Sequence, residues 1–287
     1  MQNWIATGMM NNRYYYSKLN KEEQYVYNAI ARAVDCGNDN VTFRTNLTVE
    51  NICVVHTYAF HDNPSWFTVS PQIGFSYRGN EYNFNFKRIY SDVEKQNAES
   101  FFKTVAQMVT EKCKGKEDYK KTLYIAKIFL EKCTYGFPNG ENGSIKSQLA
   151  TSVAVDSKSV CAGLARAFKY VCDLIGIECI VVSGDTIRNI VPKTDKDKEN
   201  VGNETVNVYK ALRNTYTSVA DKVSGSSKIN YIPHAWNMAK LNGKWFVIDL
   251  NATQNVNKDY VFRNLYNFCI PESELVGYVW NRNITPK

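Results

Sequence analysis

The stretch Ser159–Asp185, SVCAGLARAFKYVCDLIGIECIVVSGD, reads as one helix that passes through a glycine into a buried strand. At about 100° per residue, Ala165, Phe168, Cys172 and Ile175 fall within about 40° of the Cys161 direction and form an apolar stripe. Leu164 and Val171 lie slightly to one side, and Arg166, Lys169 and Asp173 lie well round on another flank. Ser157 or Ser159 can cap the start of the helix, and Gly176 closes its end. Ala162, Gly163, Ala165 and Ala167 are small enough to let a neighbouring element approach closely, and Ile177–Ser183 reads as the strand. Cys161 therefore sits in the first turn, where the positive end of the helix favours a thiolate. That is the setting of a nucleophilic cysteine, and it also suits a small core hydrophobe.

A second stretch, PHAWNMAKLNGKWFVIDLNAT from Pro233 to Thr253, carries the strongest short hairpin signal, Asn242-Gly243. A two-residue loop pairs Leu241 with Lys244, so Trp236 is expected to face Asp249 and His234 to face Asn251. Alternation then puts all four on one sheet face, with His234 and Asp249 diagonal neighbours roughly 7–8 Å apart before their side chains reach inward. A carboxylate so placed can orient an imidazole. A cysteine, a histidine and an acidic residue form a triad in principle, provided the helix packs its Cys161 stripe against that hairpin face.

The remaining composition narrows the function. The chain has 287 residues, 44% of them hydrophobic and 22% charged, and supports a sizeable core. Its net charge of +7 is spread along the chain without a basic block, so nucleic-acid binding is not expected. No apolar run approaches the ~18–20 residues of a membrane span. The start, MQNWIATGMM, has no basic segment followed by an apolar core, which suggests a cytoplasmic protein if the chain is complete, or an extracellular or cell-surface one if a leader has been removed. The eight cysteines include no C-x-x-C pair and the three histidines, His56, His61 and His234, no H-x-x-x-H pair, so no metal is expected. No acidic cluster has EF-hand spacing, so calcium is not expected either, nor is any cofactor. The N-x-S/T triplets at Asn40, Asn46, Asn142, Asn203, Asn251 and Asn283 are incidental in an Asn-rich chain.

Upstream, Lys21–Val34 reads as a helix with Asn20 as N-cap, Glu23 completing a capping box, and Cys36-Gly37 at its end. From Val41 to Tyr90 the segments VTFRTNL, NICVVHTYAF, SWFTVSPQIGFSY and EYNFNFKRIY read as alternating strands, with a hairpin turn at Arg78-Gly79-Asn80. Ser91–Lys114 and Asp118–Cys133 read as amphipathic helices. The expected organisation is a small α+β N-terminal subdomain over residues 1–90 and a catalytic domain over 91–287.

The segments SVCAGLARAFKYVCDLIGIEC, HAWN and NGKWFVIDLNAT, in that order, resemble the core of the transglutaminase-like superfamily, especially its bacterial members. Specific motifs cover about Gln148–Thr253, and weaker similarity, including DNPSWFTVS, covers Lys18–Tyr135. The resemblance implies an α+β, papain-like fold in which a helix bearing Cys161 packs on an antiparallel sheet bearing His234 and Asp249. Relative to the family, 185–231 is an insertion: a solvated loop, or a lid leading directly to His234. It contains the charge run KTDKDKEN and a short helix expected over Asn207–Asp221. Gln148 is either a surface glutamine or an oxyanion donor. Trp236 either walls the acyl site or packs in the core. Asn251 either bonds Asp249 or His234 or ends the strand.

These readings lead to acyl transfer from a glutamine carboxamide or peptide amide through a Cys161 thioester, with protein or peptide as substrate and a primary amine or water as acceptor. The rivals are a plain cysteine peptidase and a non-catalytic module of the same fold that holds peptide or cell-wall material.

Overall fold

In the computed structural model, residues 13–187, 231–251, 268–275 and 278–286 are described. The charge run at 193–200 and the helix expected over 207–221 lie outside them.

Helix α1, Lys21–Asp35, starts on the expected capping box: Asn20 accepts from the Glu23 backbone, and the Glu23 carboxylate accepts from the Asn20 N–H. It ends at Gly37, whose φ of +82° is the left-handed conformation that stops a helix. Strand β1, Asn40–Arg44, is followed by a departure from expectation: the segment NICVVHTYAF, read as a strand, lies within helix α2, Val49–Asp62, capped by Thr48. The reason is burial on nearly every side, from Ile52 and Cys53 through Phe60 to Asp62. A helix wrapped in core shows no 3.6-residue stripe, and its β-branched valines then read as strand.

Strands β2, Val69–Arg78, and β3, Glu81–Arg88, form the expected hairpin, closed by Gly79 and Asn80 between Arg78 and Glu81. Together they make an antiparallel sheet of order β1-β3-β2. Helices α3, Asp92–Lys112, and α4, Asp118–Lys132, follow as expected, α3 on a Ser91–Glu94 capping box. Short strands β4, Thr134–Tyr135, and β5, Lys158–Ser159, pair in parallel and lead into helix α5, Cys161–Leu174.

After α5 come β6, Cys179–Ile187; β7, Tyr231–Leu241; β8, Lys244–Ile248; β9, Phe268–Ile270; and β10, Tyr278–Val279. They form an antiparallel sheet of order β10-β6-β7-β8-β9. The architecture is α+β. One apolar cluster joins α3, α4 and α5 to the sheet through Phe102, Phe129, Phe168, Ala239 and Ile248. Another runs from Val26, Phe60 and Trp66 to Ile180, Trp236 and Met238, so the N-terminal segments share a core with the sheet. No described helix is long and apolar enough to cross a membrane.

Candidate active site

Helix α5 opens on Cys161, and its N-cap is Val160, which offers no side-chain cap. The expected serine cap is absent because Ser159 is committed elsewhere. It pairs with Tyr135 in β4, and its hydroxyl donates to the Ser147 carbonyl at 3.0 Å. The first turn is thus left without a side-chain acceptor, which keeps its N–H groups oriented past the helix end beside a half-buried thiol. Gly163 lets the turn Ile145–Gln148 lie directly on this helix: a Cβ there would stand 2.2 Å from Ser159 Oγ and 2.4 Å from the Ser147 carbonyl.

The polar flank of α5 is covered by protein. Lys169, 0% exposed, is paired with Asp173 at 2.9 Å. The buried Arg166 lies against the Phe60 ring of α2 and donates to the Gln148 carbonyl.

The hairpin β7–β8 has the expected register, Leu241 opposite Lys244, but its ladder ends at Asn237 opposite Ile248. Asp249 lies just past the strand and Leu250 and Asn251 are already helical, so Asn251 does not face His234 across the sheet as expected. Asp249 still meets His234: the Nε2–H donates to Oδ2 at 2.6 Å. The carboxylate is 1% exposed and well supplied with donors. Tyr278 in β10 donates its O–H to the same Oδ2 at 2.5 Å, and the Asn251 backbone N–H donates to Oδ1 at 2.9 Å. Asn251 therefore reaches Asp249 through its backbone.

The helix packs on the other face of β7 from the one expected. Ala165 clusters with Val181 and Ala235, and the Asn237 Nδ2 donates to the Ala165 carbonyl at 2.9 Å, while His234 and Trp236 have the alternate parity. Small side chains on both elements explain this seating, because Ala165 against Ala235 permits the closest approach. Cys161, at the tip of the helix, lies near enough to His234 to contribute to the imidazole's electrostatics. Burial would push the His234 imidazolium down; the charge and hydrogen bond of Asp249, joined by Cys161, lift it to about 10. With Nε2 taken by Asp249, Nδ1 is the ring nitrogen left for the sulfur.

Trp236 is almost fully buried. It stacks on His234 at 5.9 Å and meets Tyr278 and Trp280 edge-on at 5.0 and 5.4 Å. It is a packed wall behind the histidine. Gln148 contributes its backbone carbonyl, to Arg166; among the described residues its carboxamide makes no hydrogen bond to Cys161, His234 or Asp249. Tyr278 escaped the sequence reading because a lone tyrosine some thirty residues beyond the hairpin carries no local pattern. No group of three or more His, Cys, Asp or Glu among the described residues could hold a metal ion.

The segment that builds this site is also the one that matches known proteins. Residues 103–250 match the model of the transglutaminase-like superfamily, about half of the chain. The chain belongs to that superfamily. Its members include cysteine acyltransferases and are generally enzymes. Among solved structures, the chain is similar to a transglutaminase at 10% identity and a TM-score of 0.37, covering 76% of this chain and 52% of that one. It is similar to a candidate protease from Parabacteroides distasonis at 12% identity and a TM-score of 0.30, covering 64% of this chain and 39% of that one. The periplasmic domain of TgpA from Pseudomonas aeruginosa, bound to ethylmercury, is similar at 15% identity and a TM-score of 0.32, covering 63% of this chain and 58% of that one. The chain thus spans between about two fifths and three fifths of the length of these structures. No match is found among curated proteins.

Proposed function

We propose that this transglutaminase-like protein transfers acyl groups through a thioester on Cys161. The observation that carries the reading is the 2.6 Å bond from His234 to a buried Asp249, with Cys161 acting on the same imidazole. The proton of the thiol rests on His234, which as an imidazolium holds it well above neutral pH, and in the first step the sulfur so freed attacks the carbonyl carbon of a glutamine carboxamide or peptide amide. The C–N bond breaks, and the imidazolium returns the proton to the leaving ammonia or amine. The negative oxygen formed on attack lies next to the first-turn N–H groups of α5, which no side chain caps. A primary amine or water then attacks the thioester, restoring the thiol and releasing either a cross-linked or a hydrolysed product. Asp249 fixes the tautomer that leaves Nδ1 free to accept the thiol proton.

The test is a glutaminyl-peptide library incubated with and without a labelled primary amine, reading ammonia release, amine incorporation and chain cleavage. The reading expects turnover that Cys161→Ala abolishes while Tm stays within a few degrees of the parent. Absence of ammonia release, amine incorporation and cleavage on every peptide would reject it in favour of a non-catalytic module. Cleavage without amine incorporation would make it a peptidase using the same three groups.

A further inference from the structure

We propose that Tyr278 is a positioning residue of this site, which holds Asp249 Oδ2 and shares that oxygen with His234. The inference rests on the reading above for its functional meaning, and on geometry for its content. Oδ2 accepts two short hydrogen bonds, from Tyr278 at 2.5 Å and from His234 at 2.6 Å, inside a carboxylate that is 1% exposed. One lone-pair-rich atom serves both donors, so what it gives to the phenol it withholds from the imidazolium.

The backbone is arranged to bring the tyrosine there. β10 adds to β6 at the sheet edge, with Tyr278 opposite Thr186 and Val279 opposite Asp185. The close approach is possible because Gly184, opposite His234 in β7, has no side chain. A Cβ on Gly184 would stand 2.3 Å from the Val279 carbonyl and 2.8 Å from the Trp236 ring. The Tyr278 ring in turn packs edge-on against Trp236 at 5.0 Å and His234 at 5.8 Å. The edge strand therefore encloses the histidine and delivers one hydroxyl to its carboxylate.

Among the described residues, the titratable groups facing His234 are Cys161 from α5, Asp249 past the end of β8, and Tyr278 from β10. β6 presents only Gly184 opposite it. Removing the phenol hydroxyl gives Oδ2 wholly to the imidazolium, so His234 should hold its proton to higher pH.

The experiment follows the imidazole of His234 by NMR in protein labelled with ¹⁵N-histidine, across the alkaline range. Tyr278→Phe keeps the ring and its packing and removes only the hydroxyl. Its His234 titration is expected to move up by about half a unit or more, as loss of a charge-assisted hydrogen bond implies. Should Tyr278→Phe fail to fold, 4-aminophenylalanine at position 278 keeps the ring and a neutral N–H that is a weaker donor than the phenol, and the titration is again expected to move up. An unchanged titration in either protein, or a shift opposite to the one stated, overturns the proposal. Because the readout is proton binding, it separates this inference from the acyl-transfer reading. A shifted titration in a protein without turnover would leave Tyr278 assigned and the proposed function rejected. Turnover with an unmoved titration would do the reverse.

Discussion

Asn237 donates its carboxamide to the Ala165 carbonyl at 2.9 Å, a bond that ties the strand carrying His234 to the helix opened by Cys161. The same amide nitrogen also reaches the Ile180 carbonyl in β6 at 3.1 Å. One buried side chain thus fixes helix, β6 and β7 together. Asn237→Ala leaves two buried carbonyls short of a donor and should cost about 1–3 kcal/mol. It should also loosen the spacing between Cys161 and His234. Chemical denaturation measures the first effect, and the rate of Cys161 alkylation, expected to fall, measures the second.

Asp249→Asn keeps the shape of the carboxylate and removes its charge. Burial alone already drives the His234 imidazolium downward, and Asp249 is the main group lifting it to about 10. The variant's histidine should therefore titrate well below the parent's, and turnover should fall by about 10³–10⁴-fold, as when a triad loses its acidic member. NMR titration and peptide turnover check the two parts separately.

Stability should peak near neutral pH. Burial, with Arg166 nearby, drives His56 down to about 3 and His61 well below its ordinary value. Below about pH 6.5 the unfolded chain binds two protons that the folded chain refuses, so stability falls with falling pH. Asp62, pushed up by burial to about 6, opposes this by taking one proton in the folded state. The net difference of about one proton predicts a loss of about 1.4 kcal/mol per pH unit between roughly pH 6 and 4. His234 acts on the other side: its contribution is full below about pH 6.5 and fades as pH rises through about 10. Denaturant midpoints measured from pH 4 to 10 test both limbs, and His56→Phe should flatten the acidic one.

Gly163→Ala should destabilise, although replacing glycine by alanine within a helix ordinarily stabilises. Its Cβ would collide with Ser159 Oγ and with the Ser147 and Leu149 carbonyls, of which the last two are backbone and cannot swing away. A cost of about 1–3 kcal/mol is expected from overpacking. Thermal unfolding reads it. A neutral or stabilising outcome would mean that the Ile145–Gln148 turn sits off the helix.

The legibility of the sequence follows the locality of the signal. Helix α5, the glycine stop at Gly176 and the Leu241–Lys244 turn are short-range patterns, and all were readable. Helix α2 was not, because it is buried on nearly all sides and so lost its periodicity. The seating of α5 on the Ala235–Asn237 face was not, because alternation says which residues share a face and not which face a helix chooses. Tyr278 and Asn237 act across long stretches of chain, so only coordinates bring them to Asp249 and Ala165.

The central claim is that Cys161 is activated by its neighbours, and the chain carries its own control in Cys36. Cys36 is exposed and Cys161 is only half-buried, so access alone favours Cys36. Quantitative mass spectrometry after brief iodoacetamide treatment at near-neutral pH compares them within one molecule. Activation predicts that Cys161 labels faster than Cys36 and that His234→Ala reverses the order. Labelling of Cys161 no faster than Cys36, unchanged by His234→Ala, would contradict it.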